Sequence, residues 1–317
     1  MEDVLAGRAT DAQIVGLLSA LRNKGETVEE LVGFATAMRR HARPVFPDSS
    51  RPPGMLVDTC GTGGDARGTF NVSTCAAFVV AGAGVRVAKH GNRSISSRCG
   101  SADVLEALGV NLQMPPARVG EAIAQIGIGF LFAPEVHTAM KHAMKARREL
   151  GGRTVFNLLG PLTNPAGARA QVLGVYDAGV IEMMARALAE LGVERAFVVH
   201  GADGLDEISL SGETHVAELR DGNVCRYTVA PEDFGLHRAA LDAISGGDAV
   251  ENARIIRCVL DGQPGPHREI VLANAAAALV AAGRAADWLE GVSIAVQSID
   301  SGAAREKLGA LAAFRRG

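Results

Sequence analysis

Between Asp58 and Ser101 the chain concentrates residues suited to holding an anion: Gly61-Thr62-Gly63-Gly64-Asp65, then Asn71-Val72-Ser73-Thr74, then Lys89-His90-Gly91-Asn92-Arg93-Ser94-Ile95-Ser96-Ser97. Three glycines in four positions let a backbone bend sharply and approach a ligand closely. Asn71, Ser73 and Thr74 stand where helix N-caps belong, just ahead of the apolar run Cys75 to Ala81. A glycine loop beside a helix N-terminus offers unpaired N–H donors to an anion. The third stretch crowds Lys89, His90 and Arg93 together with the hydroxyls of Ser94, Ser96 and Ser97. A glycine-rich turn alone is as well explained by a tight connection. Two polar loops on neighbouring strand ends fit a doubly phosphorylated ligand.

Two familiar phosphate motifs do not account for these residues. Gly61-x-Gly63-x-x-Ala66 approaches the dinucleotide pattern, yet no acidic residue occurs between Asp65 and Asp103 to hold a ribose. No Lys-Ser or Lys-Thr closes the loop, so the Walker pattern fails as well.

Two further stretches carry chemistry. His137, Lys141 and Lys145 fall four apart, which predicts one helical face with Arg147 and Arg148 in the next turn; a solvated basic face is the plain alternative. His200-Gly201-Ala202-Asp203-Gly204-Leu205-Asp206-Glu207 ends in adjacent carboxylates at a loop tip. Such a pair suits Mg²⁺, which takes one or two carboxylates together with substrate phosphates, although Asp-Gly by itself only makes a turn.

These loops need strands and helices behind them. Met55-Leu56-Val57, Val85-Arg86-Val87-Ala88, Phe130-Leu131-Phe132-Ala133 and Ala196-Phe197-Val198-Val199 read as short buried strands, and helical patterns alternate with them. Ser101 reads as the N-cap of one such helix, and Val119, Ile123 and Ile126 mark another. The alternation predicts an α/β fold with a mostly parallel sheet flanked by helices, and its ligand crevice lies beyond the carboxyl ends of the strands. Residues 1–46 read as helices, because Thr10-x-x-Gln13 and Thr27-x-x-Glu30 are capping-box patterns ahead of helically spaced apolar residues. Pro44, Pro47, Pro52 and Pro53 then mark a boundary. From Asp248 the chain is alanine-rich and helical, densest at Asn274-Ala275-Ala276-Ala277-Ala278-Leu279, and reads as close packing without chemistry.

Composition narrows the class. The 317 residues are 48% hydrophobic and 21% charged, with a formal net charge of −3, so no global basic field favours nucleic acid. Cys60, Cys75, Cys99, Cys225 and Cys258 are odd in number and lack a Cys-x-x-Cys pair, which argues against a disulfide framework and a zinc ribbon and fits a reducing cytoplasm. Neither a membrane-spanning run nor a signal segment stands out.

The motifs Gly61 to Asp65, Thr69-Phe70-Asn71-Val72-Ser73-Thr74 and Lys89 to Ser94 resemble the ligand loops of the anthranilate phosphoribosyltransferase family of tryptophan biosynthesis. Asn157-Leu158-Leu159-Gly160-Pro161-Leu162-Thr163-Asn164-Pro165 and His200 to Glu207 extend the resemblance, which runs from about Thr10 to about Leu311. The resemblance implies a small helical domain, residues 1–46 with a return contribution from about 152–192. It is hinged to a large α/β domain formed by 54–151 and 193–317. It implies transfer of the phosphoribosyl group of phosphoribosyl pyrophosphate to the amine of anthranilate, with Mg²⁺, two ions per subunit, in a cytoplasmic homodimer. For the donor it implies Gly61, Gly64 and Asp65 in the turn and Thr69, Asn71, Val72, Ser73 and Thr74 at the helix start. Lys89, His90, Gly91, Asn92, Arg93, Ser94, Ile95, Ser96 and Ser97 follow in the next loop, completed by Ser101. Gly61, Asn92, His137 and Arg147 match the anthranilate side, and Ser73, Asp206 and Glu207 the metal.

Family members usually carry a further helical stretch ahead of Met1. The chain departs from the family pattern at Thr138 and at Met144-Lys145-Ala146, where relatives often have proline. Two alternatives share the implied fold. A pyrimidine-nucleoside phosphorylase would need no Asp-Glu metal pair, and a non-enzymatic nucleic-acid binder would show a basic surface and degraded loops.

Overall fold

The chain opens with three helices, α1 (Glu2–Leu5), α2 (Asp11–Lys24) and α3 (Val28–Arg40), and both expected capping boxes form. Gln13 N donates to Thr10 Oγ1 at 3.3 Å while Thr10 N donates to Gln13 Oε1 at 2.9 Å. Thr27 and Glu30 repeat the exchange at 3.3 and 3.0 Å. The computed structural model describes residues 1–47, 51–65, 67–94 and 98–314.

The next part of the chain alternates β1 (Leu56–Gly61), α4 (Val72–Gly82), β2 (Arg86–Gly91), α5 (Ser101–Ala107), α6 (Pro116–Ile126) and β3 (Ile128–Phe132). Then come α7 (Ala133–Val136), a 3₁₀ turn (Thr138–Ala143), α8 (Met144–Leu150), α9 (Val155–Leu162), β4 (Ala170–Gly174) and α10 (Ile181–Glu190). The strands β5 (Arg195–Gly201), β6 (Thr214–Arg220) and β7 (Asn223–Val229) precede four helices: α11 (Ala249–Leu260), α12 (Pro266–Ala281), α13 (Trp288–Asp300) and α14 (Ala303–Ala313).

All seven strands form one sheet in the order β3-β2-β1-β4-β5-β6-β7. It is parallel from β3 to β5 and antiparallel at β6 and β7. The strand order reverses between β1 and β4, and a crevice beyond the strand ends belongs at such a switch point. Strands covered on both faces read as continuous apolar runs, because every side chain is buried whichever way it points. Phe197 and Val199 of β5 enter one apolar cluster with α4, α5, α6 and α11 to α14, whereas Ala196 and Val198 enter another with α1, α2, α3, α9 and α10.

The expected boundaries need correction. The segment 152–192 packs on the helical side through α9, α10 and also Leu173 and Val175, but β4 within it is an inner strand of the sheet. Five apolar-rich residues carry too little periodicity to separate a buried strand from a helix. Ala143 and Ala146, expected within the α/β part, join the apolar cluster of the N-terminal helices, and Lys145 pairs with Asp11 of α2. His137, Lys141 and Lys145 do not share one helical face, since His137 caps α7 and the 3₁₀ turn separates it from α8. Gly100, not Ser101, is the N-cap of α5, and the Asp103 carboxylate closes that end by accepting from Gly100 N at 2.9 Å.

Candidate active site

The glycine turn lies at the switch point. Thr62 N donates to Gly174 O at the end of β4 (2.9 Å), and Thr62 Oγ1 accepts from Tyr176 N (3.1 Å), so the loop after β1 is tied to the strand beside it. Gly63 (φ 65°) and Gly64 (φ 82°) occupy the left-handed region, which explains why glycine stands at both. Gly61 has ordinary torsions and is small for another reason: a Cβ there would meet Asp206 Oδ2 at 3.1 Å. Arg153 donates to Gly64 O and lies 3.9 Å from the centre of the Tyr176 ring, holding the far side of the turn.

The N-terminus of α4 is capped from outside the helix. Asn71 occupies the N-cap position, but its side chain donates to Cys99 O (3.1 Å) and accepts from Asn252 Nδ2 (3.0 Å). The cap comes from Glu207, whose Oε1 accepts from Ser73 N at 3.0 Å, a carboxylate at the positive end of a helix dipole. Val72 and Thr74 are each 1% exposed, so neither presents its side chain to a ligand. Thr69 pairs with Ser245 through an isolated bridge at the rim.

Lys89 and His90, expected in a loop, are strand residues of β2 and point to opposite faces. Lys89 Nζ is buried against Thr59 O and lies 3.3 Å from Ser73 Oγ. Burial lowers its pKa, and the nearby Asp58, Cys60, Glu207 and Asp206 oppose that. His90 turns away from the turn toward His137. Its Nδ1 donates to Gly160 O at 3.1 Å, so the neutral ring leaves a buried Nε2 without a partner. Asp58 takes His90 N at 3.0 Å and Asn164 Nδ2 at 2.8 Å, and burial raises its pKa to about 6.

Beyond the strand, Gly91 is packed so closely against Ser101 Oγ and the Phe130 ring that no side chain fits. Asn92 Oδ1 accepts from Arg93 N (2.8 Å), and Asn92 O accepts from Ser101 Oγ (3.3 Å). Arg93 is engaged by Asp103 (2.9 Å) and Glu106 (2.8 Å) and therefore does not point into the crevice. Asp103 also accepts from Ser94 N at 3.0 Å. Ile95, Ser96 and Ser97 lie outside the described residues.

Asp206 and Glu207 follow the Asp203-Gly204 turn, and Asp203 is taken up by Ser209 Oγ at 2.6 Å and by Ser211 Oγ. The Asp206 carbonyl rests where a Cβ of Gly174 would be. Burial holds the Asp206 pKa well above the carboxylate range, and the charges of Asp65 and Glu207 add to the effect. Glu207 is raised by burial too, against the pull of Lys89 and the Ser73 N–H. Asp65 Oδ2 is buried without a partner. Three carboxylates gathered with one buried oxygen unpaired make a place that fits a divalent cation. Among the described residues no three His, Cys, Asp or Glu side chains form a ready-made cage, so ligands from substrate oxygens would be needed, as Mg²⁺ commonly has.

On the other face His137 is buried, its ring 5.1 Å from that of His90 and edge-on at 77°, with Nε2 3.4 Å from Thr163 Oγ1. Burial pushes His137 down to about 4 and His90 down to about 3, so both are neutral. Arg147 is half-buried with its guanidinium 5.0 Å from the centre of the Phe156 ring. Desolvation alone lowers its pKa, and among the described residues no carboxylate pairs with it.

Several residues that shape the site escaped the sequence reading. Asn274 holds both main-chain polar groups of Ile208, Asn252 holds Asn71 and Gly247 N, and Asn164 holds Asp58 and Ala88 O. Each is at most 4% exposed. For Asn274 a lone amide inside an apolar run is the signal that could have found it, since a buried amide demands partners; Asn252 and Asn164 carry no such local signal.

Comparisons with known proteins give the family of the chain. The model described as "Glycosyl transferase family, helical bundle domain" matches residues 1–42, and "Glycosyl transferase family, a/b domain" matches residues 53–305. The chain is 60% identical over 314 residues to the anthranilate phosphoribosyltransferase of Solibacter usitatus, covering 99% of this chain and 92% of that one. The crystal structure of the Thermus thermophilus enzyme superposes with a TM-score of 0.92 at 49% identity, covering 99% and 92% of the two chains. The Saccharomyces cerevisiae enzyme in complex with phosphoribosyl pyrophosphate and Mg gives 0.86 at 32% identity, with 95% and 84% covered. In complex with 4-fluoroanthranilate it gives 0.87 at 31%, with 99% and 89% covered. A sheet with its switch-point crevice, a helical bundle against it and near full-length identity together establish that this chain belongs to the anthranilate phosphoribosyltransferase family.

Proposed function

We propose that the crevice at the β1–β4 switch point binds the donor of the family reaction and that the His90–His137–Arg147 face binds the acceptor. The reaction is transfer of the phosphoribosyl group of phosphoribosyl pyrophosphate to the amine of anthranilate, giving N-(5-phosphoribosyl)anthranilate and pyrophosphate. The observation that carries this reading is the meeting of the glycine turn, the α4 N-terminus and the Asp65, Asp206 and Glu207 carboxylates at one place.

The bond that breaks joins the anomeric carbon to the diphosphate oxygen, and positive charge grows on the ribose ring as it does. No covalent nucleophile is required. The chain's task is to position two substrates and to stabilise the departing diphosphate. The main chain of Gly63 and Gly64 faces the diphosphate, and Asn92 and Ser101 shape the loop beside it. Asp206, Glu207 and the Ser73 hydroxyl would hold Mg²⁺, two ions per subunit in this reading, which when bound neutralises the diphosphate. Lys89 Nζ lies 3.3 Å from Ser73 Oγ, and Glu207 is among the charges that oppose the lowering of its pKa by burial. Arg147, with no carboxylate partner among the described residues, meets the anthranilate carboxylate. The neutral imidazoles of His90 and His137 wall the acceptor without competing for it.

The yeast relative's complexes with the donor and Mg and with 4-fluoroanthranilate support the same two ligand classes here. We further infer a cytoplasmic homodimer; among the described residues no helix is long and apolar enough to cross a membrane. The test is to mix the protein with anthranilate, phosphoribosyl pyrophosphate and Mg²⁺ and follow the anthranilate fluorescence. Loss of the signal that requires all three components is expected. A constant signal with folded protein would overturn the reading.

A further inference from the structure

The loop that carries Asp206 and Glu207 gathers repelling carboxylates, and its main chain must be held against that repulsion. We propose that Asn274, in the middle of α12, is the positioning residue that sets this loop for a divalent cation and the anionic donor. Its carboxamide grips a single residue at both polar groups: Oδ1 accepts from Ile208 N at 3.0 Å and Nδ2 donates to Ile208 O at 3.1 Å. Nδ2 also donates to Ile270 O, one turn back in the helix, at 2.9 Å, which fixes the orientation of the amide plane.

Ile208 directly follows Glu207, so the clamp acts at the base of the carboxylate pair. From the other direction Glu207 is held through its side chain by Ser73 N of α4. The loop is thus anchored to two helices that cover the same face of the sheet, α12 by main chain and α4 by side chain.

The setting of Asn274 shows that the amide is there for these bonds. It is 2% exposed, and its neighbours Ala273, Ala275, Ala276, Ala277 and Ala278 are fully buried. Asparagine is a mediocre helix former, and its amide in an apolar core is unfavourable unless every polar atom is satisfied. Alanine would continue the packing of this helix without that burden. What alanine cannot do is fix the peptide units on both sides of Ile208, and with them the direction in which Glu207 leaves the chain.

The inference rests on reading Asp206 and Glu207 as the cation site, and the experiment separates the two. Asn274→Ala is compared with Leu279→Ala, a fully buried position of the same helix, and with Glu207→Gln. Three quantities are read: hydrogen exchange at the Ile208 amide without metal, Mn²⁺ binding in the presence of pyrophosphate, and KM for each substrate. Loss of the clamp should speed Ile208 exchange and weaken Mn²⁺ on the order of 10-fold, as expected when a buried hydrogen bond to the main chain is removed. The donor KM should rise while the anthranilate KM stays as in the wild type. Leu279→Ala should lower thermal stability and leave all three unchanged. If Asn274→Ala does not fold, Asn274→Ser, the smaller perturbation, carries the same readings. Equal Mn²⁺ binding and donor KM in the Asn274 and Leu279 variants would overturn the positioning role. Should Glu207→Gln weaken Mn²⁺ while Asn274→Ala does not, this inference alone falls. Wild-type Mn²⁺ binding by Glu207→Gln would remove the cation reading and this inference with it.

Discussion

The crevice proposed for the donor and the face proposed for the acceptor are built on opposite principles. On the donor side the shape is finished and the charge is not: left-handed glycines, a capped helix and buried asparagines fix the loops, while Asp65, Asp206 and Glu207 repel one another. On the acceptor side the charge is simple and the framework is loose in type. Two neutral imidazoles and one guanidinium without a carboxylate among the described residues are carried by β2, a short helix, a 3₁₀ turn and α8, resting on the N-terminal helices. In the proposed reading a cradle of main-chain groups would spread recognition of a diphosphate over many donors, whereas recognition of a small aromatic acid would rest on one cation. Damage to the donor side should therefore act through electrostatics and loop geometry together, and damage to the acceptor side through a single interaction.

The largest expected effect tests the unfinished charge. Glu207→Gln keeps the size and a hydrogen-bonding oxygen for Ser73 N but removes the charge. Steady-state kcat/KM should fall on the order of 10²- to 10³-fold, as when one preorganised electrostatic interaction is removed, with the Mg²⁺ titration displaced to higher concentration. Wild-type activity across the titration would make the pair a turn and erase the contrast.

Next in size is the acceptor's single cation. Arg147→Ala should raise the anthranilate KM by roughly 10- to 150-fold, the equivalent of about 1.5–3 kcal/mol for a charge-assisted hydrogen bond, and leave the donor KM alone. An unchanged anthranilate KM would return Arg147 to a packing role over Phe156.

A smaller effect probes the finished shape. Gly63 has φ of 65° and open space around its Cβ position, so Gly63→Val is strained by its backbone alone. A left-handed residue with a Cβ costs roughly 1–2 kcal/mol, more for a β-branched one, and the donor KM should rise about 10-fold. Unaltered donor binding measured by calorimetry would mean that the turn does not carry the diphosphate.

The mildest test separates the two sides by pH. His90 and His137 have folded pKa values of about 3 and about 4, below the ordinary histidine value, so the unfolded chain binds more protons. Their contribution to stability is present above about pH 6.5 and is lost as pH falls from there through about 4 for His137 and about 3 for His90. Asp206 and Glu207 are shifted the other way, so a cation must displace protons from them and should bind more weakly as pH falls. Urea unfolding of His137→Gln should show a shallower acid decline than the wild type, with the pH dependence of Mn²⁺ binding unaffected. Parallel changes in both readouts would show that the two faces titrate as one unit.

Much of this molecule is local and could be read along the chain. The capping boxes at Thr10 and Thr27 form as written, because a cap is a contract between residues three apart. The glycine turn adopts positive φ at Gly63 and Gly64 for a reason contained in the absence of a Cβ. The family resemblance, carried by long motifs in order, located the reaction. What failed were statements about direction and neighbourhood. Lys89 and His90 looked like one basic loop, but a strand sends successive side chains to opposite faces, and so Lys89 meets Ser73 while His90 meets Gly160. Asn71 looked like a cap, yet that place went to Glu207, 134 positions from the Ser73 N–H it accepts, because tertiary packing delivered a negative charge to the helix end. Residue types and spacings determined that this chain would present anion loops, a carboxylate pair and an α/β scaffold. Only the folded sheet decided which of those groups meet, since partners such as Asn274 and Ile208 lie 66 positions apart and their pairing is set by packing rather than by any local pattern.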